Sequence, residues 1–176
     1  METNKKILDA CCGCKFIWID KHNPYVVYND IRKEKKGFLE RRRNLEINPD
    51  TNYDFRKLPF EDKKFKLIVF DPPHLIGKMD KSTLKACYGV LDKSNYESIL
   101  KEGIKELWRV LDDYGTLFFK FNNIHIEFED LLQMFPESPL FQTSTNRSKN
   151  CESRWYCFMR IPKQLNSEGK FFSSQP

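Results

Sequence analysis

Ten residues, Phe65-Lys66-Leu67-Ile68-Val69-Phe70-Asp71-Pro72-Pro73-His74, constrain the fold more than any other stretch of the chain. Four of the five residues from Leu67 to Asp71 are apolar, and the run stops at a carboxylate followed by two prolines. Proline lacks the N–H that a sheet ladder needs, so the segment reads as a buried parallel strand ending at Asp71. In open α/β sheets ligands bind beyond the carboxyl ends of the strands. Asp71 and His74 are therefore expected to face a reaction site rather than the core.

The N-terminal third fits the same architecture. Lys6 to Asp9 reads as a short buried strand, followed by a turn of small side chains, Cys11-Cys12-Gly13-Cys14, in which Gly13 lets a backbone approach a ligand closely. Tyr25 to Asp30 is β-branched and aromatic and ends in a second carboxylate, 21 positions after Asp9. That spacing suits an acid placed on ribose hydroxyls, because a carboxylate only accepts hydrogen bonds and a diol offers two donors. A surface aspartate capping the next helix is the alternative for Asp30, and the glycine turn favours the ribose role. Arg32 to Arg43 is helix-compatible, with seven basic and two acidic residues. Arg41, Arg42 and Arg43 either track phosphates or form a solvated face.

Composition narrows the class. A chain of 176 residues fits one domain with a single core, expected here over residues 1–163, and Gln164 to Pro176 reads as a polar, flexible tail. A net charge of +5 permits an anionic partner without demanding one. No leader or membrane-spanning run is apparent, so a cytoplasmic protein without membrane contact is expected. Six cysteines are present, but Cys11, Cys12 and Cys14 lack the spacing that lets two thiolates reach one tetrahedral ion, so no metal is expected.

Further along, Leu75 to Lys93, with Tyr88 and two glycines, has no periodicity and reads as a lid or substrate loop. Ser94-Asn95-Tyr96-Glu97 has the form of a capping box for a helix carrying Leu100, Ile104, Leu107 and Leu111, with Gly115 as its C-cap. Thr116 to Phe121, Leu140 to Thr145 and Trp155 to Met159 are strand candidates, with a short helix at Phe128 to Phe135.

The Asp71-Pro72-Pro73-His74 tetrad resembles the Asp-Pro-Pro-Tyr signature of methyltransferases that modify exocyclic amino groups of nucleobases, with His74 where that family has a larger flat ring. Asp9-Ala10-Cys11-Cys12-Gly13-Cys14-Lys15 is similar to the cofactor loop of class I methyltransferases, retaining only its central glycine. Together they resemble compact phage or mobile-element members of that class. The resemblance implies a single-domain, Rossmann-like α/β fold: a mostly parallel seven-stranded sheet, a C-terminal antiparallel hairpin, and helices on both faces. It implies S-adenosylmethionine as cofactor, held by Asp9, Cys11, Gly13, Lys15, Asp30, Asp54, Phe55 and Asp71. Lys15 would meet the methionine carboxylate, Asp54 the adenine amine, and Phe55 would cover the ring.

Asp71, Pro72, Pro73 and His74 would then be the catalytic set, with the Asp71 carboxylate and the Pro72 carbonyl each accepting an amine N–H. His74, Tyr88, Arg41, Arg42 and Arg43 would contact RNA or DNA, with adenine N6 preferred to cytosine N4. Lacking room for a target-recognition domain, the chain suits unpaired bases. Two alternatives stand beside this reading. One is methylation of a protein side-chain amide or small molecule. The other is a non-catalytic module that binds or activates a protein partner.

Overall fold

The structure is a computed structural model and describes residues 5–77, 83–147 and 151–162. The expected tail, the 78–82 part of the lid stretch and the tip of the last hairpin lie outside the described residues. Six strands form one sheet: β1 (Ile7–Asp9), β2 (Val26–Tyr28), β3 (Phe65–Phe70), β4 (Leu111–Asn122), β5 (Phe141–Arg147) and β6 (Glu152–Met159). Their spatial order is β2-β1-β3-β4-β6-β5. The first four run parallel, and β6 is inserted antiparallel between β4 and β5. The mixed α/β sheet and its closing hairpin are those expected.

The strand count is corrected from seven to six among the described residues. Beyond β2 there is only a single parallel bridge, Asn29 to Thr51. Pro49 precedes it and has no N–H to extend a ladder. The segment before it folds back on itself instead, Glu34 and Ile47 exchanging two backbone hydrogen bonds of 2.9 Å. The helix expected over Arg32 to Arg43 is reduced to a 3-10 turn, Glu40–Arg42. The β1–β2 connection carries no helix either, so the sheet is not wrapped helix by helix as the resemblance implied.

The principal core joins the sheet to α2 (Tyr96–Val110) and α3 (Phe128–Leu132). Leu100, Ile104, Leu107 and Val110 recur at helical spacing and all are buried, which anchors α2 on Leu8, Ile68, Phe70 and Phe119. The capping box does not form. Ser94 Oγ donates to Asp92 at 2.6 Å, and the helix begins after Asn95 without a side-chain cap. The C-terminus also differs. Leu111 is already extended, the chain enters β4 at once, and the left-handed backbone expected at Gly115 falls on Tyr114, at φ 58° within β4.

A short helix, α1 (Thr83–Tyr88), occupies the stretch read as irregular. The base of that stretch is pinned, since Leu91 N donates to Leu75 O at 2.8 Å and Gly77 N to Leu91 O at 3.0 Å. Among the described residues no helix is long and apolar enough to cross a membrane.

Gly103 shows how tightly α2 is seated. A β-carbon there would overlap the Phe55 ring, which itself packs edge-on against Phe70 at 5.2 Å. Gly103→Ala gains about 1 kcal/mol of helix propensity but forces an overpacking cost of about 1–3 kcal/mol. We expect a net loss of stability in urea unfolding, reversed when Phe55 is also trimmed to Leu.

Candidate active site

Parallel pairing decides what meets at the sheet edge. Asp9 is in register with Tyr28 on one side and Val69 on the other, so Asp30 and Asp71 each lie two residues beyond a partner of Asp9. Phe70 pairs with Phe119, which sets Lys120 beside Asp71. Asn29, wholly buried, holds the next segment in place: its amide donates to Ala10 O and Tyr53 O, and its oxygen accepts from Thr51 Oγ1 and Tyr53 N. Three carboxylates are thereby gathered at one edge.

Each carboxylate is satisfied differently. Asp9, 1% exposed, accepts from Trp18 Nε1 at 2.6 Å and from Cys11 N at 3.3 Å. Burial nevertheless outweighs these donors and pushes its carboxyl up to about 7. Asp30 accepts Gly13 N at 2.9 Å and is gripped by Arg32 through Nε and Nη2 at 3.1 and 3.2 Å. Asp71 receives Lys120 Nζ at 3.0 Å on Oδ2, while its buried Oδ1 has no hydrogen-bond partner among the described residues. Burial raises the Asp71 carboxyl and the Lys120 charge opposes that rise.

Flat side chains surround the Asp71–Lys120 pair. His74 lies 5.7 Å from the Tyr88 ring and 6.3 Å from that of Phe121. Lys120 Nζ sits over Tyr88 at 5.9 Å and over Trp155 at 5.7 Å. Burial, helped by the Lys120 and His125 charges, lowers the His74 imidazole to about 4, so the ring is neutral near pH 7.

Of the residues predicted from sequence, Asp9, Cys11, Gly13 and Asp71 line one small cavity with Tyr88, and Asp30 reaches it through Arg32. Pro73 is near that cluster, 3.3 Å from where a Gly89 β-carbon would lie. Lys15 is placed elsewhere, its ammonium 4.0 Å above the Tyr28 ring and bonded to Lys21 O. Asp54 is engaged by Arg56 through its main-chain N–H and its guanidinium, which holds the carboxyl below its ordinary value. Phe55 packs into the core. The Arg41–Arg43 run sits on the 3-10 turn, with Arg42 and Arg43 exposed, and Leu39 beside it packs with Cys14 and Cys87.

Sequence reasoning missed Lys120 and Arg32. Lys120 is the one charge in the run Leu117 to Phe121, which signals a partner at the strand edge. Arg32 stands two residues after Asp30, close enough to fold back on its own acid. It goes further, donating to Ala86 O at 3.1 Å and Cys87 O at 3.2 Å in the last turn of α1. Among the described residues no group of three or more His, Cys, Asp or Glu side chains could hold a metal ion. The Cys11, Cys12 and Cys14 thiols are raised by burial, Cys14 to about 11, and so are poorly disposed to ionise.

The donor set therefore suits a ribose-bearing ligand, with acids at the ends of β1 and β2 and a glycine turn at φ +48°. The space does not. The cavity among Asp9, Gly13, Arg32, Asp71 and Tyr88 holds about 20 Å³, whereas small-molecule sites run to about 300–1,000 Å³. A roomier cavity, about 700 Å³ between Arg56, Lys105, Trp108, Arg109 and Phe135, includes none of the strand-end residues. It is the larger space but lacks the chemistry, so the strand-end cluster is the candidate site. A nucleoside ligand at Asp30 requires Arg32 and the last turn of α1 to give way.

No protein-family model matches the chain, and no curated protein is similar to it in sequence. Solved structures are similar in fold. The N-methyltransferase NodS of Bradyrhizobium japonicum WM9 is 12% identical with a TM-score of 0.55, over 89% of this chain and 85% of that one. An S-adenosylmethionine-dependent methyltransferase of Methanosarcina mazei is 11% identical with a TM-score of 0.51, over 92% of this chain and 94% of that one. The [4+2]-cyclase SpnF is also 11% identical, with a TM-score of 0.55, over 88% of this chain and 74% of that one. The chain thus has the fold these proteins share, and a fold that serves a cyclase does not name a reaction.

The elevated Asp9 carboxyl carries a pH signature. It holds a proton in the folded state up to about pH 7 but only to about 3.8 when unfolded, so folding favours its protonated form. That stabilisation is complete below the unfolded value and is lost as pH rises through about 7. Relative to Asp9→Asn, wild type should lose on the order of a few kcal/mol of stability as pH rises across that window, measured by urea unfolding at stepped pH. A difference curve that stays level between wild type and variant would show that Asp9 ionises normally.

Proposed function

We propose that this protein is an S-adenosylmethionine-dependent N-methyltransferase acting on an exocyclic amino group of a nucleobase in RNA or DNA, adenine N6 before cytosine N4. The observation that carries the reading is Asp71: a buried carboxylate at a strand end, one oxygen without a partner, followed by Pro72-Pro73-His74 and enclosed by flat rings. The fold likeness to methyltransferases supports it. The cofactor would supply an electrophilic methyl group, with Asp9, Gly13 and Asp30 as the acids and turn that hold it.

The chain's own residues address the other half of the problem. An exocyclic amine is a poor nucleophile because its lone pair is delocalised into the ring. Accepting its two N–H groups on Asp71 and on the Pro72 carbonyl draws the nitrogen toward tetrahedral geometry and localises that pair. Orientation of this kind supplies much of the acceleration in a direct displacement. The fixed φ of Pro72 aims its carbonyl, and the neutral His74 ring, packed against Tyr88, offers a face on which the base stacks.

One observation favours a second reading. The closed cavity and the Arg32 grip on Asp30 are also what a non-catalytic binding module, or an activator of a protein partner, would show. The purified chain is given radiolabelled S-adenosylmethionine with separate RNA, single-stranded DNA, duplex DNA and protein pools, and cofactor binding is read by calorimetry. Label in an N-methylated nucleoside is expected. Asp71→Ala should abolish transfer while leaving cofactor heat intact. Label in protein would establish the amide alternative, and no cofactor heat would establish the module.

The basic turn gives a separate check. Neutralising Arg41, Arg42 and Arg43 together should weaken nucleic-acid binding and reduce its salt slope by about 0.7–0.9 for each phosphate no longer neutralised. An unchanged slope would place the polymer elsewhere on the surface.

A further inference from the structure

The unpartnered Oδ1 of Asp71 is half of an arrangement whose other half is Lys120. A buried polar oxygen left without a donor is costly, so its persistence in a site of this kind points to a ligand donor. Oδ2 is already taken by Lys120 at 3.0 Å, which constrains the plane of a carboxylate whose residue lines the strand-end cavity. The ammonium has three N–H groups and no acceptor capacity. One goes to Oδ2. The lysine side chain is 19% exposed, and its Nζ lies over the faces of Tyr88 and Trp155, which are attracted to its charge but cannot accept as a lone pair does. A donor and an acceptor thus stand side by side between flat rings.

Resting on the reading of Asp71 as the amine acceptor, we infer that Lys120 determines specificity: it donates to the ring nitrogen adjacent to the target amine while Asp71 Oδ1 takes the amine's N–H. The substrate class is then an amidine edge, –N=C–NH2, in a planar heterocycle. Adenine presents it with its amine and N1, and cytosine with its amine and N3. A base whose neighbouring ring atom is a C–H leaves one N–H of the ammonium without a partner in a largely buried site, and such a mismatch is discriminated strongly.

Lys120 also acts through Asp71. The groups that face this carboxylate are Lys120 on β4, Asp9 and Cys11 at the end of β1, and Tyr88 at the end of α1, with His74 and His125 near the lysine. Lys120 is the cation among those that lowers the Asp71 carboxyl. Removing it makes the carboxylate harder to ionise, so the acid limb of the rate profile moves to higher pH.

The test compares wild type, Lys120→Met and Lys120→Arg on single-stranded RNA and DNA oligonucleotides that contain one adenosine or one 1-deazaadenosine, whose ring nitrogen beside the amine is replaced by C–H. Transfer of label and equilibrium binding are both read, and thermal unfolding checks each variant. Wild type should lose about tenfold or more in kcat/KM on the analogue. Lys120→Met should be slower on adenosine, show no further loss on the analogue, and have its acid limb shifted upward, with Lys120→Arg between the two. An equal loss on the analogue in wild type and Lys120→Met would overturn the inference while leaving the methyltransferase reading standing. If no oligonucleotide accepts label, that reading fails and binding decides. Discrimination present in wild type and absent in Lys120→Met supports the donor role, and its absence from wild type refutes it.

Discussion

Burying three carboxylates at one sheet edge is the physical problem around which this molecule is built. Parallel strands that start together end together, so Asp9, Asp30 and Asp71 cannot avoid one another once β1, β2 and β3 are paired. Charges taken out of water are costly unless they are paired or neutralised. Each acid meets the cost by a different route. Asp30 has a guanidinium, Asp71 has an ammonium on one oxygen only, and Asp9 has two N–H donors and a raised affinity for a proton. The three solutions give three distinct chemical characters to residues of one type.

Economy elsewhere in the fold follows from the same edge. The β1–β2 connection contains no helix, yet it supplies Trp18 to Asp9, and the Gly13 N–H to Asp30, from within a few turns. Asn29 does with four hydrogen bonds what a further strand would do with a ladder, tying residues 51–53 to the strand ends. The structure keeps the strand ends and simplifies what surrounds them.

The sequence was most legible where period and punctuation agree. The run Leu67 to Phe70, closed by Asp71-Pro72-Pro73, could only be a buried strand and its exit. The stripe Leu100, Ile104, Leu107 could only be a packed helix face. Both are where expected. Legibility failed where a local preference was overruled by a distant partner. Ser94 found Asp92 before it could cap α2, and the basic segment 32–43 was drawn into backbone bridges with Ile47 and into the cluster of Leu39, Cys14 and Cys87. Lys120 and Arg32 were invisible as site residues because their meaning lies in strand register and in the fold-back of a side chain, neither of which a linear pattern encodes. The acids could be read in order along the chain; the cations that answer them could not.

The Arg32 guanidinium is shared between Asp30 and the final carbonyls of α1, and Gly89, at φ +80°, is pressed between it and Pro73. The acid at the end of β2 and the helix beside the Asp-Pro-Pro turn are therefore held by one side chain. Whatever takes the oxygens of Asp30 competes for them with Arg32, the side chain that also holds α1. Occupancy at one strand end is thereby tied to the seating of α1 beside its neighbour. In this chain, the grip on a small ligand at Asp30 is tied to the helix whose Cys87 and Tyr88 wall the same cavity.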